Sequence, residues 1–273
     1  MIGIIGCGNM GAAIAAALKD KFPLIVFDKD LGQTKGFLDI RVACSVSVLA
    51  QQSETFILAV KPQDFDHLLR EIKNYFAGKL LISIAAGVST RHIEAALKGA
   101  RVIRAMPNLS VRIGESVTCF CRGANASDED LDFAQQLFYY LGVERQIPES
   151  LMNAATAICG SGPAYCFDFI AGNNFGPQDI PQHAQQDMCK RLERAAEEVG
   201  FGRDEAVFLA INTVNSSINL LKKTKLSAGE LIRQVASKGG TTEKALEVLK
   251  NGGSWEEAAL AALKRAEELY KKG

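Results

Sequence analysis

Residues 237–249 read SKGGTTEKALEVL: a serine, two glycines and two threonines stand directly before an apolar-periodic run. Ser237, Gly239, Gly240, Thr241 and Thr242 suit two kinds of chemistry. A threonine at a helix N-cap accepts a hydrogen bond from a free backbone N–H, with glycine easing the turn before it. Alternatively the helix N-terminus stays open, and its N–H groups meet a carboxylate or phosphate. The stretch alone leaves both readings standing.

A second set opens the chain. IIGCGNMG places Gly6, Gly8 and Gly11 in a G-x-G-x-x-G pattern between an apolar run and a helical one. In that context the first glycine makes a tight turn, the second admits a pyrophosphate and the third packs helix on strand. Cys7, Asn9 and Met10 lie within the same motif and count as cofactor-binding candidates. Asp28 follows 17 residues after Gly11, ending the next apolar run. A carboxylate there either bonds the ribose hydroxyls of NAD or merely ends a strand, and its charge opposes a 2′-phosphate. Lys29 and Lys35 offer that phosphate a counter-charge, so NADH and NADPH both remain open.

Further candidates sit where strands should end. AVKPQ contributes Ala59, Val60, Lys61 and Pro62 as cofactor walls, SIAAGVS contributes Ala86 and Gly87 for close approach, and RAMPN contributes Asn108. Open α/β sheets bind ligands at these carboxyl ends. CGSGPAY instead precedes a helix whose first turn holds Ser161, a further possible donor cluster and a substrate-binding candidate. Of the three histidines, His67 and His92 fall on amphipathic helices and are expected to face solvent. No Ser-His-Asp set is evident. Cys119 and Cys121 share one strand face without a second cysteine pair or a nearby histidine, so no metal site is expected.

Elements that could hold these residues follow from periodicity. MIGIIG, LIVFD, TFILAV, LLISIAA and RVIRAM read as buried strands, alternating with helical patterns such as NMGAAIAAALKD and TRHIEAALKG. Such alternation implies a doubly wound, mostly parallel α/β sheet. After about residue 150 the patterns are helical only. The expected division is a dinucleotide-binding Rossmann domain over 1–149 and an all-α domain over 150–273. Trp255 is expected to pack the start of the last helix.

Composition narrows the partners. The 273 residues carry 31 Lys+Arg and 31 Asp+Glu, which argues against a nucleic-acid or membrane-surface partner and for a small ligand. Seven dispersed cysteines suit a reducing compartment. No basic n-region precedes an apolar stretch, and KLLISIAAGV is too short to span a bilayer, so a cytoplasmic protein is expected.

Taken together, IGIIGCGNMG, LAVKPQ, SIAAGVS, RAMPN, GSGPAY and above all LIRQVASKGGTTEKALEVL resemble the pyrroline-5-carboxylate reductases over nearly the whole chain. The resemblance implies NAD(P)H-dependent reduction of 1-pyrroline-5-carboxylate to L-proline, with NADPH favoured. It also implies a homodimer through the helical domain, or an oligomer of such dimers, with substrate between one subunit's cofactor and the partner's helices. The Ser237–Thr242 loop would hold the substrate carboxylate, and Thr242 would meet the ring nitrogen. Lys238, Arg233 and Lys225 depart from the family pattern. So does AGNNFGPQDIPQHAQQDMCKR (171–191), which interrupts a helix that the family makes continuous; residues 171 to about 183 should form an exposed, mobile loop, with a helix restarting after Pro181. Rival readings are another imine reductase or 3-hydroxyacid dehydrogenase, or a non-catalytic NAD(P)-binding protein.

Overall fold

Alternation of short Ile-, Leu- and Val-rich runs with amphipathic helices produces one sheet covered on both faces. The computed structural model describes residues 1–76 and 78–270. Its first half runs β1 (Ile2–Ile5), α1 (Asn9–Leu18), β2 (Leu24–Phe27), β3 (Arg41–Val42), α2 (Val46–Gln52), β4 (Thr55–Leu58), α3 (Pro62–Ile72), β5 (Leu80–Ser83), α4 (Thr90–Ala96), β6 (Arg101–Met106), β7 (Ser116–Arg122), α5 (Asp128–Tyr139) and β8 (Gly142–Gln146). The described elements that follow are helical: α6 (Met152–Ala155), α7 (Gly162–Gly172), α8 (Gln182–Glu198), α9 (Arg203–Lys223), α10 (Ala228–Val235), α11 (Thr241–Lys250) and α12 (Trp255–Tyr270).

The strand order is β3-β2-β1-β4-β5-β6-β7-β8, parallel throughout except for the antiparallel β6–β7 pair. Strand order therefore reverses between β1 and β4, the crevice where doubly wound sheets take ligands. Alternate residues serve opposite faces. Ile4, Ile57, Ile82 and Ile103 pack against α1 and α5, whereas Ile5, Phe56, Leu58 and Leu81 pack against α2, α3 and α4. Cys119 and Cys121 share a face of β7, as their spacing predicts, and join Leu192, Leu209 and Trp255 in the core of the helical half. That half is thus welded to the sheet. Trp255 is buried with its ring edge-on to Tyr165 at 5.8 Å, which matches a packing role at the helix start.

The interrupted segment differs in part from expectation. α7 continues to Gly172 and α8 restarts directly after Pro181, so the break is 173–181 rather than 171–183. Asn174, at φ +55°, closes α7: its N–H bonds the Ala171 carbonyl and the Phe175 N–H bonds that of Ile170. This is a Schellman stop, with Asn in the left-handed conformation that terminates helices. Phe175 and Ile180 anchor the segment on the helical core, while Asn173, Asn174 and Pro177 to Asp179 are exposed. The apolar stripes Phe167/Ile170 and Leu192/Ala195/Ala196/Val199 are buried as their spacing predicts. α8 packs along α9 and α12.

Candidate functional site

The glycine motif takes up three different tasks. Gly6 leaves β1 at φ +97°, and a Cβ there would lie 2.7 Å from the Ala59 carbonyl oxygen. A Cβ on Gly11 would fall 1.9 Å from the Gly6 carbonyl oxygen, so α1 presses directly on the turn. At Gly8 a Cβ would meet nothing within 4 Å, and no side chain caps α1, whose N-cap Gly8 is. The first-turn N–H groups of α1 therefore face an open groove, as an anion requires.

Asp28 braces this turn from the end of β2. Its Oδ2 accepts the Cys7 N–H at 2.6 Å and its Oδ1 accepts the Asp30 N–H at 2.9 Å. Burial, and secondarily the Asp28 charge, push the Cys7 thiol up to about 12, so it stays protonated. Gly6, Asp28, Lys29, Ala59 and Lys61 line one groove of about 430 Å³. Lys29 is exposed and pairs with Asp64 at 3.1 Å, so only a shared Lys29 would serve a phosphate. Lys35 is exposed.

A second cleft of about 290 Å³ continues past Gly8. One wall combines Gly8, Asn9 and Met10 with the strand ends: Ala59 to Pro62, Ala86 and Asn108. Ser237, Thr241 and Thr242 form the opposite wall together with Gln234 and Val235. Among the described residues the Asn108 amide nitrogen is buried without a hydrogen-bond partner, while its oxygen accepts the Ser110 N–H at 3.1 Å. A donor left unpaired beside a cleft is one a ligand can satisfy. Both walls belong to one chain, whereas the family resemblance implies that the second comes from a partner.

Neither threonine is the cap of α11. Gly240 is the N-cap, no side chain caps it, and Thr241 and Thr242 occupy the first turn. The threonines therefore do not serve as the cap, and the start of α11 carries no side-chain cap. The Gly239 N–H, however, is spent on Glu243 Oε2 at 2.6 Å and the Gly240 N–H on the Ser237 carbonyl at 2.9 Å. First-turn groups of Thr241 and Thr242 are what remain for an anion.

Several sequence candidates fall outside this cleft. Ser161 is fully buried behind the threonines: it accepts the Thr242 hydroxyl at 3.0 Å and bonds Thr241 Oγ1 at 3.1 Å. It contacts both threonine hydroxyls without itself lining the cleft. Cys7 lines a separate groove along α1, and Gly87 lines a hollow behind the Ser237–Gly240 turn. His67 is exposed, but His92 is only half exposed because its Nε2 lies 2.7 Å from Asp66 Oδ1.

Other contributions emerge only from the tertiary contacts. Thr156 and Gly160 bound a single π-helical turn between α6 and α7 and line the cleft floor. Asn9 Nδ2 donates to the Gln234 carbonyl at 3.2 Å, tying the end of α10 to the glycine turn, and Arg112 Nη1 donates to Gln234 Oε1 from the Leu109–Ile113 turn that follows β6. Arg104, buried on β6, donates to Asn153 Oδ1 at 2.7 Å and pairs with Glu149 at 3.5 Å. These contacts fix the helical half beneath the cleft; only tertiary structure reveals them.

Comparison with known proteins agrees with this geometry. A family model described as pyrroline-5-carboxylate reductase dimerisation matches residues 187–270, and one described as NADP oxidoreductase, coenzyme F420-dependent, matches residues 1–87. The chain is 34% identical to the pyrroline-5-carboxylate reductase of Methanosarcina acetivorans, covering 99% of this chain and 98% of that one. It is 33% identical to the Aquifex aeolicus enzyme of the same name, covering 92% and 89%. A Plasmodium falciparum pyrroline carboxylate reductase solved with NADP bound superposes with a TM-score of 0.65 at 26% identity, covering 98% and 97%. An open glycine turn facing an open helix N-terminus, on a sheet and helical region matched along their length, places this chain in the pyrroline-5-carboxylate reductase family.

Proposed function

We propose that this chain reduces 1-pyrroline-5-carboxylate to L-proline with NADPH or NADH. The observation that carries the reading is the uncapped start of α11, with Thr241 and Thr242, set across one cleft from Gly8, Ala86 and Asn108. In this reading residues 1–149 serve the cofactor, 150–273 supply the substrate loop and the dimer contacts, and the protein acts as a cytoplasmic homodimer. No helix among the described residues is long and apolar enough to cross a membrane.

The glycine turn and the α1 N-terminus would hold the diphosphate, Asp28 the adenine-side ribose, and Ala59 to Pro62, Ala86 and Asn108 the nicotinamide half. When bound, the nicotinamide supplies a hydride. The chain does the rest by placement. First-turn N–H groups of α11 and the positive end of its dipole meet the substrate carboxylate. Because the Thr242 hydroxyl hydrogen goes to Ser161, its oxygen lone pairs are free to accept the N–H of a protonated ring imine. Met106, Ile84, Leu109 and Val235 line the cleft and exclude water from the C=N carbon. No strong protein base is needed, since the imine arrives protonated, and the rate gain is mainly orientation in a desolvated site.

Cofactor choice turns on Asp28. Its charge disfavours a 2′-phosphate, so the enzyme should use NADH more readily than a relative without it. In Asp28→Ser both affinities fall, because the bond to the Cys7 N–H weakens, but the NADPH to NADH ratio of kcat/KM rises about fivefold or more. Like charges about 4 Å apart repel by about 1 kcal/mol in water and more in a partly closed groove. An unmoved ratio would leave Asp28 as a brace for the turn alone.

Steady-state turnover of pyrroline-5-carboxylate against a panel of 3-hydroxy acids, each with both cofactors, tests the reading. Hydroxyacid turnover would favour a dehydrogenase, although α7 carries no lysine to donate a proton. Cofactor binding with no turnover of either class would favour a non-catalytic protein.

A further inference from the structure

The turn that leads into α11 is held by two side chains from outside it. The Gly240 N–H to Ser237 carbonyl bond closes a four-residue turn whose third residue, Gly239, has φ +69°. This is the type II pattern, in which the third position needs positive φ and the second favours proline. Gly239 is the glycine this turn needs, since a side chain there would be strained; a Cβ on Gly240 would lie 2.4 Å from Ser237 Oγ and displace that hydroxyl. The second position is Lys238, an exposed residue that leaves the backbone unrestricted. Two glycines and a lysine in succession carry a large conformational entropy to lose.

Two contacts on one residue offset that freedom. Glu243 Oε2 accepts the Gly239 N–H at 2.6 Å, and Arg265 Nε donates to the Gly239 carbonyl at 2.7 Å. Glu243 reaches back from the first turn of α11, while Arg265 comes from α12 and is fixed there by Glu268 at 2.9 Å. Gly239 is thereby gripped at both its donor and its acceptor, from two helices.

We propose that Glu243 and Arg265 are positioning residues for substrate: by clamping Gly239 they hold the Ser237–Gly240 turn so that the first-turn N–H groups of α11 and the oxygen of the Thr242 hydroxyl face the cleft. The proposal rests on the reading of that helix start as the substrate carboxylate site. It acts on the substrate side of the cleft only, leaving the glycine turn of the cofactor side untouched.

The test compares the wild-type chain with Glu243→Ala, Glu243→Gln, Lys238→Pro and the Glu243→Ala/Lys238→Pro double variant. Glu243→Ala should raise the KM for pyrroline-5-carboxylate roughly tenfold, with a smaller change in kcat and an unchanged Kd for NADPH. Glu243→Gln, which keeps an acceptor oxygen, should stay within about twofold of wild type. Lys238→Pro, by pre-setting the turn, should recover about two- to fivefold of the KM lost in Glu243→Ala. An unchanged KM in Glu243→Ala, a parallel loss of NADPH affinity, or no recovery by Lys238→Pro would overturn the clamp. Amide hydrogen exchange at Gly239 and Gly240 gives a readout independent of turnover. It should quicken in Glu243→Ala and slow again in the double variant. If the wild-type enzyme failed to reduce pyrroline-5-carboxylate, the proposed reaction would fall while exchange still judged the clamp, and unchanged exchange would remove it.

Discussion

Gly8→Asp should abolish measurable NADPH binding while leaving the melting temperature within about 2 °C of wild type. The fold should tolerate the change because Gly8 has φ −67°, an ordinary value for any residue, and a Cβ there meets nothing within 4 Å. Aspartate is moreover a favoured N-cap, so α1 gains a partner for its first-turn N–H groups. That gain is the loss for the cofactor. The new carboxylate would occupy the donors a diphosphate needs and add like charge in the same groove. Two charge-assisted hydrogen bonds lost at about 1.5 kcal/mol or more each amount to at least about a hundredfold in affinity. Calorimetric titration with NADPH beside a thermal melt checks both halves. Retained binding would show that the diphosphate lies elsewhere, and a collapsed melt would show that Gly8 is structural.

Thr242→Ala should lower kcat/KM for pyrroline-5-carboxylate by tenfold or more, with NADPH affinity nearly intact. Thr242 is 5% exposed, sits in the first turn of α11 and gives its hydrogen to Ser161 at 3.0 Å. One hydrogen bond to a charged group is worth about 1.5–3 kcal/mol, which sets the scale of the loss. Thr242→Ser keeps the hydroxyl and should recover most of it. Initial-rate measurements over a range of substrate concentrations, with cofactor affinity determined separately, decide the matter. An unchanged kcat/KM would remove Thr242 from the site.

How much of this was legible in advance depends on how local each feature is. The glycine turn was readable because its three roles are set by neighbours in sequence and by one strand and one helix. Thr241 and Thr242 were readable as a pair, but the choice between cap and open terminus hinged on which residue entered the helix first. Gly240 takes the N-cap and Thr241 is the first helical residue, and a one-residue shift changes what the threonines can do. GSGPAY marks Ser161 as a candidate, yet its direction depends on the π turn before it, which no periodicity announces. Edge strand β8, GVERQ, has no apolar run to betray it, and β3 is only two residues long. The Gly and Pro punctuation of 173–181 fixed where α8 restarts; that Phe175 and Ile180 would anchor the break required knowing the core they reach. Glu243 and Arg265 lie 4 and 26 residues from Gly239, and only the second separation truly hides the contact.

In the proposed reaction the ring C=N carbon of pyrroline-5-carboxylate meets the nicotinamide in the cleft between Gly8 and Thr242. Turnover with nicotinamide cofactor deuterated at the transferring position tests it most directly, by mass analysis of the product. The expected product is L-proline carrying one deuterium at C5, formed in step with cofactor oxidation. Cofactor oxidation without labelled proline, or proline free of deuterium, would contradict it.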